Sequence, residues 1–460
     1  MALELLELEQ LAGNGTFHGG IHPPEQKHFS ADAPIEVIPT PKEVLIPLQQ
    51  HIGAPCKPRV KPKQEVKYGD VIGDNEAHIS ARLHSPIAGI VQKLTVATLP
   101  NGRHMQAIRI KAAGDQFSAD VNYKECFGGF WPKDVAARYD PEQVTRAIDD
   151  SGIVGLGGAA FPTHVKIAPS RGKESIDTLL VNGCECEPYL TADDRLMRDI
   201  PGTVITGSLL SGMAIKVKEI FICIEENKPK AIDAISWAAA DTKIKIAVVN
   251  TKYPQGSERH LIKAVLNKNM PVGGLPSNVG VAVSNVTTMA AVARAVIRKM
   301  PLTHRVVCVT GAGIVQPKNL LVPLGISYRE LIDFCGGLTK DAARIISGGP
   351  MMGFAFTDLD MPLTKGTGGI TVLTHDDIKK EKEKETACIR CGRCVDVCPM
   401  NLVPSRLALA AKHNNLKMAE KYTIRGCIEC GCCAYVCPAA IPLVQLIRVG
   451  KAKIVASGKK

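Results

Sequence analysis

The feature that most constrains this chain is a cysteine run that occurs twice near its C-terminal end. Each run has the spacing C-x2-C-x2-C-x3-C-P, the bacterial pattern for holding [4Fe–4S] clusters by thiolates. Three cysteines of one run bind one cluster, and the fourth binds the other. Structural zinc fits poorly because it usually takes two separated pairs of ligands. The pattern therefore predicts electron transfer, with Cys388, Cys391, Cys394 and Cys437 on one cluster and Cys427, Cys430, Cys433 and Cys398 on its partner.

Composition places these runs in a multidomain chain. A length of 460 residues predicts about three domains. Eight of the 16 cysteines lie outside the predicted ligands without disulfide-like spacing, so we expect a reducing compartment. No segment suits a transmembrane helix, and the acidic start MALELLELEQL lacks the features of a secretory signal. A net charge of +11 is compatible with an acidic partner or an anionic surface, and no motif indicates nucleic-acid binding.

Four regions follow from changes in pattern along the chain. Residues 1–130 show short strands separated by turns and resemble a biotinyl/lipoyl-type barrel-sandwich without its prosthetic-group lysine. Residues 135–300 alternate strands and helices, which predicts an α/β sheet with crossover helices. Residues 305–375 resemble a soluble-ligand-binding β-grasp (SLBB-like) domain. The mixed-charge run Asp376–Glu385, which we interpret as a solvated helical linker, begins an α-helical two-cluster ferredoxin-like region at 376–460.

Strand and helix boundaries can be predicted for these regions. Residues 404–422 are rich in Ala and Leu, with proline in the first turn, and are predicted to be helical. The predicted strands are 178–182, 219–224, 244–250, 305–310 and 343–347, and the other predicted helices are 142–149, 230–239, 257–266, 287–299 and 327–335.

A glycine-rich loop opens the α/β region. It reads GIVGLGGAAFPTHVK and contains Gly155, Gly157 and Gly158, followed by Phe161 and Lys166. Glycines let backbone N–H groups approach a phosphate, and Lys166 could supply a counter-charge. Glycine clusters also make ordinary tight turns, and the spacing here is not that of a Rossmann fingerprint. The loop alone therefore leaves both interpretations open.

The next predicted strand ends in Asn182-Gly-Cys184-Glu185-Cys186-Glu187-Pro188. Open α/β folds bind ligands at the carboxyl ends of their strands, and carboxylates accept hydrogen bonds from ribose hydroxyls. Together with the glycine loop, this acidic segment favours a nucleotide site over a solvated loop. Cys184 and Cys186 are interpreted as small thiols lining a pocket rather than as a redox pair.

These two segments resemble the flavin loop and acidic segment of the NADH-oxidising flavoprotein subunit of respiratory complex I. The resemblance implies non-covalent FMN, on which NADH stacks, and no catalytic side chain. Leu156 replaces a basic residue of that family, and Cys184 replaces an acidic one, so the dinucleotide contacts are expected to differ. The implied pocket residues are Gly155, Gly157, Gly158, Phe161, Lys166, Asn182, Glu185, Glu187, and Asn285, Thr287 and Thr288 of the later segment SNVTT.

The order of all regions resembles the RnfC family of the Rnf complex. That resemblance includes the segment TFHGGIHPPE at 16–25. It implies a peripheral, NAD-linked oxidoreductase subunit of a membrane-bound ion-translocating ferredoxin:NAD oxidoreductase, on the cytoplasmic face. Partners would be the other subunits, NAD(H) and, indirectly, ferredoxin. The alternatives are a cobalamin reductase of the propanediol-utilisation type, which resembles only residues 140–460, and an electron-wire subunit with a degenerate flavin site.

Overall fold

A computed structural model describes residues 11–168, 175–378 and 384–458. Parts of two predicted segments lie outside the described residues. These are residues 1–10 of the acidic start and residues 379–383 of the mixed-charge run.

The first region forms two small sheets. One has the order β2-β9-β7-β4, and β8 also pairs with β9; the other has the order β3-β5-β6. Period-two alternation explains the packing, because Ile108 and Ile110 are fully buried on β9 while Arg109 between them is exposed. The elements are β1 (Ile35–Val37), β2 (Glu43–Pro47), β3 (Lys57–Pro58), β4 (Glu65–Val66), β5 (Val71–Asp74), β6 (Leu83–His84), β7 (Gly89–Val91), β8 (Thr95–Thr98), β9 (His104–Ala112) and α1 (Ala119–Phe127).

Two elements of this region lie outside the predicted β barrel-sandwich: a helix, α1, and a strand, β1. Ser118 precedes helix α1, and its side chain accepts a hydrogen bond from the backbone N–H of Val121 and so caps the helix. Strand β1 leaves the barrel-sandwich and joins the sheet of the third region, running parallel to a strand there. The first 130 residues therefore contribute to two folding units.

The second region is the predicted parallel α/β unit. Four parallel strands have the order β12-β11-β10-β13, and the predicted strands and helices are confirmed to within two residues. The elements are α2 (Pro141–Asp150), α3 (Thr163–Ile167), β10 (Thr178–Asn182), α4 (Ala192–Asp199), α5 (Pro201–Ile215), β11 (Glu219–Glu225), α6 (Pro229–Ala239), β12 (Ile244–Val249), α7 (Glu258–Leu266), β13 (Val281–Asn285) and α8 (Val286–Arg298).

Helix α5 accounts for the most apolar stretch of this unit. It is buried on almost every face and packs against α8. At the crossing, Gly207 lies so close to α8 that a Cβ atom would come within 1.8 Å of the Met289 carbonyl oxygen. Only glycine permits this approach, which brings α8 tightly against the unit's core.

The third region is a mixed sheet with the order β1-β15-β14-β18-β16-β17. Ser327 precedes helix α9 and forms a reciprocal capping box with Glu330. The elements are β14 (His304–Thr310), β15 (Lys318–Pro323), α9 (Tyr328–Phe334), β16 (Ala342–Ser347), β17 (Phe354–Phe356) and β18 (Gly369–Thr374).

The fourth region is α-helical, as predicted, but the helix predicted for residues 404–422 is divided in two. Asn414 has a left-handed φ of 55°, which ends the first helix, and Asn415 caps the second through the backbone N–H of Met418. Side chains that favour caps override the Ala/Leu composition here. The elements are α10 (Arg393–Asp396), α11 (Pro404–Lys412), α12 (Leu416–Lys421), α13 (Cys432–Tyr435) and α14 (Leu443–Ala456). Among the described residues, no helix is both long and apolar enough to cross a bilayer.

Candidate functional site

The chain changes direction in the parallel sheet between β10 and β13. From β10 it moves outward through β11 and β12, and it then returns to place β13 on the opposite side of β10. The last residues of these two strands, Asn182 and Asn285, are direct neighbours in the register. Such a switch point leaves a crevice at the carboxyl ends of the strands, where α/β folds bind ligands.

The glycine loop lies at this switch point. Gly155 N–H donates to the Phe161 carbonyl oxygen (2.8 Å), which closes the loop. Leu156 N–H donates to Thr288 Oγ1 (2.9 Å), and a Cβ on Gly157 would be 3.1 Å from the Asn285 Cβ. Gly158 has a φ of +117°, and a Cβ there would meet nothing within 4 Å. The loop is thus fixed against α8 on one side and leaves open space at Gly158, as a phosphate cradle requires.

Asn285 and the two threonines after it organise the start of α8. Asn285 Oδ1 accepts hydrogen bonds from the backbone N–H groups of Thr287 (2.9 Å) and Thr288 (3.4 Å). Asn285 Nδ2 and Thr287 Oγ1 both donate to the carboxylate of Asp193, at 2.6 and 2.7 Å. These side chains hold the crevice in shape, since most of their polar atoms already have partners within the chain.

Lys166 extends from α3 to β13, the edge strand of the parallel sheet, and to α7. Its Nζ donates to Glu258 Oε1 and to the Val283 carbonyl oxygen, both at 2.7 Å. The two side chains are partly exposed, at 30% for Lys166 and 45% for Glu258. The ammonium predicted as a counter-charge is thus paired with a carboxylate that no motif in the sequence indicates.

The segment after β10 turns back into the protein. Asn182 Nδ2 donates to the Gly256 carbonyl oxygen (2.7 Å), and Gly256 N–H donates to Cys186 Sγ (3.3 Å). Burial raises the pKa of Cys184 well above its usual value and that of Cys186 to about 12. Both thiols are therefore neutral at physiological pH. Cys186 lines a cavity, whereas Cys184 is fully buried in the core, so the pocket-lining interpretation holds for Cys186 and is wrong for Cys184.

Glu185 and Glu187 bind backbone N–H groups at two different places. The Glu185 carboxylate accepts from Asp193 (2.8 Å) and Asp194 (3.1 Å) in the first turn of α4. The Glu187 carboxylate accepts from Met351 (3.1 Å) and Met352 (2.9 Å) in the turn after β16. Burial raises the pKa of each glutamate to about 7. Both carboxylates therefore already have partners within the chain.

The partly buried Lys27 stabilises this acidic segment, and the buried Arg305 stabilises the glycine loop. No motif in the sequence indicates either role. Lys27 Nζ donates to the carbonyl oxygens of Glu185 (2.8 Å), Glu187 (3.1 Å) and Leu190 (2.6 Å). Arg305, on β14, donates to the carbonyl oxygen of Leu156 (3.3 Å). Leu156, which replaces a basic residue of the complex I flavoprotein family, is only 2% exposed. The guanidinium of Arg305 instead approaches the backbone of the loop from β14.

The second set of predicted cluster ligands converges on one cavity. Cys398, Cys427, Cys430 and Cys433 line it together, and the non-ligand Cys432 lines it as well. Burial raises the pKa of Cys433 above its usual range, and the neighbouring thiols of Cys430, Cys427 and Cys398 raise it further. This crossed set, with one cysteine from the first run, fits a [4Fe–4S] cluster.

The first set lies nearer the surface. Burial raises the pKa of Cys394, hydrogen bonds with Ser405 oppose this, and the thiols of Cys437 and Cys388 raise it again. Cys388 and Cys391 are exposed. No group of three or more His, Cys, Asp or Glu side chains in the described ranges is arranged to hold a single metal ion.

The more buried set faces the α/β unit. Tyr253 Oη donates to the Cys430 carbonyl oxygen (2.7 Å), and His260 Nε2 lies 3.0 Å from the Pro399 carbonyl oxygen. Gly20, from the N-terminal segment, donates its N–H to the Val397 carbonyl oxygen (2.9 Å). The cluster region is thus docked on the elements that follow β12, on the same edge of the sheet as the crevice.

Four known domain families match successive regions of the chain. Residues 15–115 match the RnfC barrel sandwich hybrid domain, and residues 148–294 match the Nuo51 FMN-binding domain. Residues 306–355 match the SLBB domain, and residues 387–441 match the 4Fe-4S dicluster domain. Fold and site together define an iron–sulfur flavoprotein, which confirms the predicted order of domains and the predicted FMN and [4Fe–4S] cofactors.

Full-length relatives identify the family. The chain is 42% identical over 451 residues to the C subunit of the proton-translocating ferredoxin:NAD(+) oxidoreductase complex of Clostridium ljungdahlii, covering 97% of this chain and 95% of that one. It is 39% identical to the Na(+)-translocating counterpart of Acetobacterium woodii, covering 97% and 99%. The chain belongs to the RnfC family of ion-translocating ferredoxin:NAD(+) oxidoreductase complexes, as the sequence resemblance predicts.

A solved structure shares the fold at low identity. The NAD+-reducing [NiFe]-hydrogenase in its H2-reduced state superposes with a TM-score of 0.51 and 18% identity. The match covers 75% of this chain and 71% of that chain, and it shows similarity of fold alone.

Proposed function

We propose that this chain is the NAD(H)-linked electron-transfer subunit of a membrane-bound ion-translocating ferredoxin:NAD+ oxidoreductase. Electrons would pass between NAD(H), non-covalent FMN and two [4Fe–4S] clusters. One observation carries this proposal. The crevice at the β10–β13 switch point and the buried cluster cysteines lie at the same edge of one sheet, and Tyr253 and His260 hydrogen-bond to the backbone of the cluster region.

The FMN phosphate would bind at the glycine loop. Gly157 keeps a side chain away from Asn285 at the start of α8, and Gly158 leaves open space beside the loop. Gly155, Gly157 and Gly158 would contribute their backbone to the phosphate site, and Lys166 would supply positive charge. Bound FMN exchanges two electrons with a nicotinamide and single electrons with clusters, which is why it belongs between them. Asn285, Thr287 and Thr288 would hold the loop and the start of α8 in register for it, through the contacts described above.

The dinucleotide would approach over the acidic segment. Phe161 offers a partly exposed ring beside the loop. Asn182, Glu185 and Glu187 would contribute polar groups to the dinucleotide pocket. Hydride transfer needs no side-chain acid or base, so the work of the protein is to orient the nicotinamide and to exclude water. We therefore assign no catalytic residue.

The domain limits and surroundings form part of the proposal. The protein would lie peripherally at the cytoplasmic face of the membrane and contact other subunits of the complex, with ferredoxin acting indirectly. The proposed domains are the barrel-sandwich-like region 1–130, the FMN/NAD(H) region 135–300, the SLBB-like region 305–375 and the two-cluster region 376–460. The relatives and the four matched domains support this assignment.

The two alternatives differ in what they explain. A cobalamin reductase of the propanediol-utilisation type would leave residues 15–115 unexplained, whereas that segment matches the RnfC barrel sandwich hybrid domain. An electron-wire subunit with a degenerate flavin site would be consistent with a buried Leu156 and a Lys166 already paired with Glu258. Flavin content separates the wire from the flavoprotein.

The decisive experiment is cofactor analysis of the chain purified without oxygen. We expect about eight iron and eight sulfide per chain, as two [4Fe–4S] clusters require, together with one FMN. NADH should then bleach both the flavin and the cluster absorbance. Full cluster content with no FMN, and bleaching by dithionite but not by NADH, would support the electron-wire alternative and refute the proposal.

A further inference from the structure

Arg305 places a buried guanidinium against the backbone of the glycine loop. It lies on β14 and is only 2% exposed. Its nitrogens donate to the backbone carbonyl oxygens of Leu156 (3.3 Å), Val306 (3.3 Å) and Lys365. Among the residues that the structure describes, no carboxylate forms an ion pair with it. The guanidinium is thus bonded to backbone dipoles, while its positive charge has no direct counter-ion.

The positive charge of Arg305 persists despite its burial. Burial lowers the pKa of Arg305 to about 10, and the neighbouring carboxylate of Asp193 opposes this shift. Arg305 is therefore protonated at physiological pH. The Asp193 carboxylate itself accepts hydrogen bonds from the side chains of Asn285 and Thr287. Because a buried charge without an ion-pair partner costs free energy, this part of the protein favours an anion close to the loop.

The bond to Leu156 determines the direction of the next N–H group in the loop. The peptide bond between Leu156 and Gly157 is trans, since the cis bond of the described chain is at Tyr253-Pro254. In a planar trans peptide, the C=O group and the following N–H group point in opposite directions. The Gly157 N–H therefore points away from Arg305. Within the described residues, the backbone N–H groups of 157–159 have no hydrogen-bond partner, so the loop offers free donors on that side.

Lys365, a second buried cation, anchors the start of the same loop in a different way. Its Nζ donates to the carbonyl oxygens of Gly152 and Arg82, both at 2.7 Å. The N–H group of the peptide between Gly152 and Ile153 is already bonded to the Ile148 carbonyl oxygen (3.2 Å). That peptide therefore has no free donor for a ligand. Of the two cations, the guanidinium is the one that holds a loop peptide with a free N–H group.

We propose that Arg305 is a positioning residue for FMN, which directs the Gly157 N–H toward the FMN phosphate and offsets the phosphate charge from the other side of the loop backbone. Oriented backbone N–H groups and a fixed positive charge are what a phosphate site requires. The proposal rests on the proposed function, because it assumes that FMN binds at the glycine loop. It deepens that function by making phosphate recognition depend on the SLBB-like region, to which β14 belongs.

Comparing FMN with riboflavin isolates the phosphate, because the two flavins differ only in that group. Each is titrated into the deflavinated, cluster-loaded full chain, and fluorescence quenching gives its dissociation constant. The wild type should bind FMN more tightly than riboflavin. Arg305→Met should weaken FMN by roughly tenfold, because a charge-assisted contact is lost, and should leave riboflavin within about twofold of the wild type. The preference for FMN over riboflavin is the readout, since a general loss of structure would weaken both flavins.

Two further variants complete the test. Arg305→Lys keeps the charge but loses the planar fork of donors, so its preference for FMN should lie between those of the wild type and R305M. Arg294→Met is the matched control, because Arg294 is also buried and donates to the carbonyl oxygen of His304 (3.3 Å), outside the loop. It should keep the wild-type preference for FMN. Iron content of each variant checks that the clusters are intact.

Four results would overturn the inference. The wild type could bind both flavins equally, or R305M could keep the full preference for FMN. R305M could weaken riboflavin as much as FMN, which would mean that Arg305 only supports the fold of the loop. R294M could lose the preference as fully as R305M does. If the wild-type chain bound neither flavin, the proposed function would fail together with the role of Arg305, whereas an unchanged preference in R305M would refute that role alone.

Discussion

Replacing Lys166 by alanine gives the sharpest test of the flavin site. The Lys166 ammonium lies 2.7 Å from both Glu258 Oε1 and the Val283 carbonyl oxygen. We propose that the same ammonium binds the FMN phosphate. A hydrogen bond to a charged group contributes about 2 kcal/mol. Its loss corresponds to roughly a thirtyfold increase in the FMN dissociation constant. Glu258, left unpaired beside the phosphate, would add repulsion to this loss.

The fold itself should tolerate the change. An ion pair whose side chains are 30% and 45% exposed contributes less than about 1 kcal/mol to stability, because water screens it. Both clusters should stay intact, since their ligands lie outside this region. FMN titration of the deflavinated, cluster-loaded chain, followed by fluorescence quenching, measures the dissociation constant directly.

Glu258→Gln provides the matched control. It removes the competing carboxylate but keeps the ammonium, so FMN should bind at least as tightly as in the wild type. The double variant K166A/E258Q should recover part of the affinity that K166A loses. The reasoning is refuted if K166A binds FMN within twofold of the wild type, or if E258Q alone weakens FMN as much as K166A does.

Three further predictions concern the clusters and the acidic segment. Cys391→Ala should lose one cluster, about four irons per chain, whereas Cys432→Ala should lose none; an equal loss of iron in both would contradict the ligand assignment. Glu185→Gln should retain FMN but slow its reduction by NADH roughly tenfold, which stopped-flow absorbance would detect, and release of the flavin would show that the site is misplaced. Burial raises the pKa of Glu187 from 4.5 to about 7, so between these values the folded state binds more protons than the unfolded state, and stability falls as pH rises. Glu187→Gln should reduce that fall in the thermal midpoint between about pH 5 and 7.5, and an unchanged pH profile would argue against a buried, ionising Glu187.

Local patterns in the sequence account for much of the fold. The strand 178–182 and the helices near 142–149 and 230–239 follow from apolar periodicity, and the structure confirms them. The cysteine spacing alone predicts the crossed ligand sets, because each C-x2-C-x2-C-x3-C-P run is visible within a short stretch of sequence. Even so, composition failed at Asn414, where a left-handed residue ends a helix that Ala and Leu favour.

Long-range contacts account for what the sequence does not predict. Lys27 is 158 residues from Glu185, whose carbonyl oxygen it binds, and Arg305 is 149 residues from Leu156. Glu258 begins α7 and shows no pattern that would pair it with Lys166, which is 92 residues away. Charged side chains become partners at such separations only through the tertiary fold. A periodic or spaced motif cannot reveal them.

The position of strand β1 couples the unfolding of the N-terminal region to that of the SLBB-like region. Ile35–Val37 belongs by sequence to the N-terminal region, yet it supplies the edge of the SLBB-like sheet through its pairing with β15. Unfolding of the N-terminal region would strip that edge and expose the backbone of β15 to pairing with other chains. The two regions should therefore melt in one cooperative transition, and a fragment that begins at residue 140 should aggregate unless the Ile35–Val37 strand is restored to it.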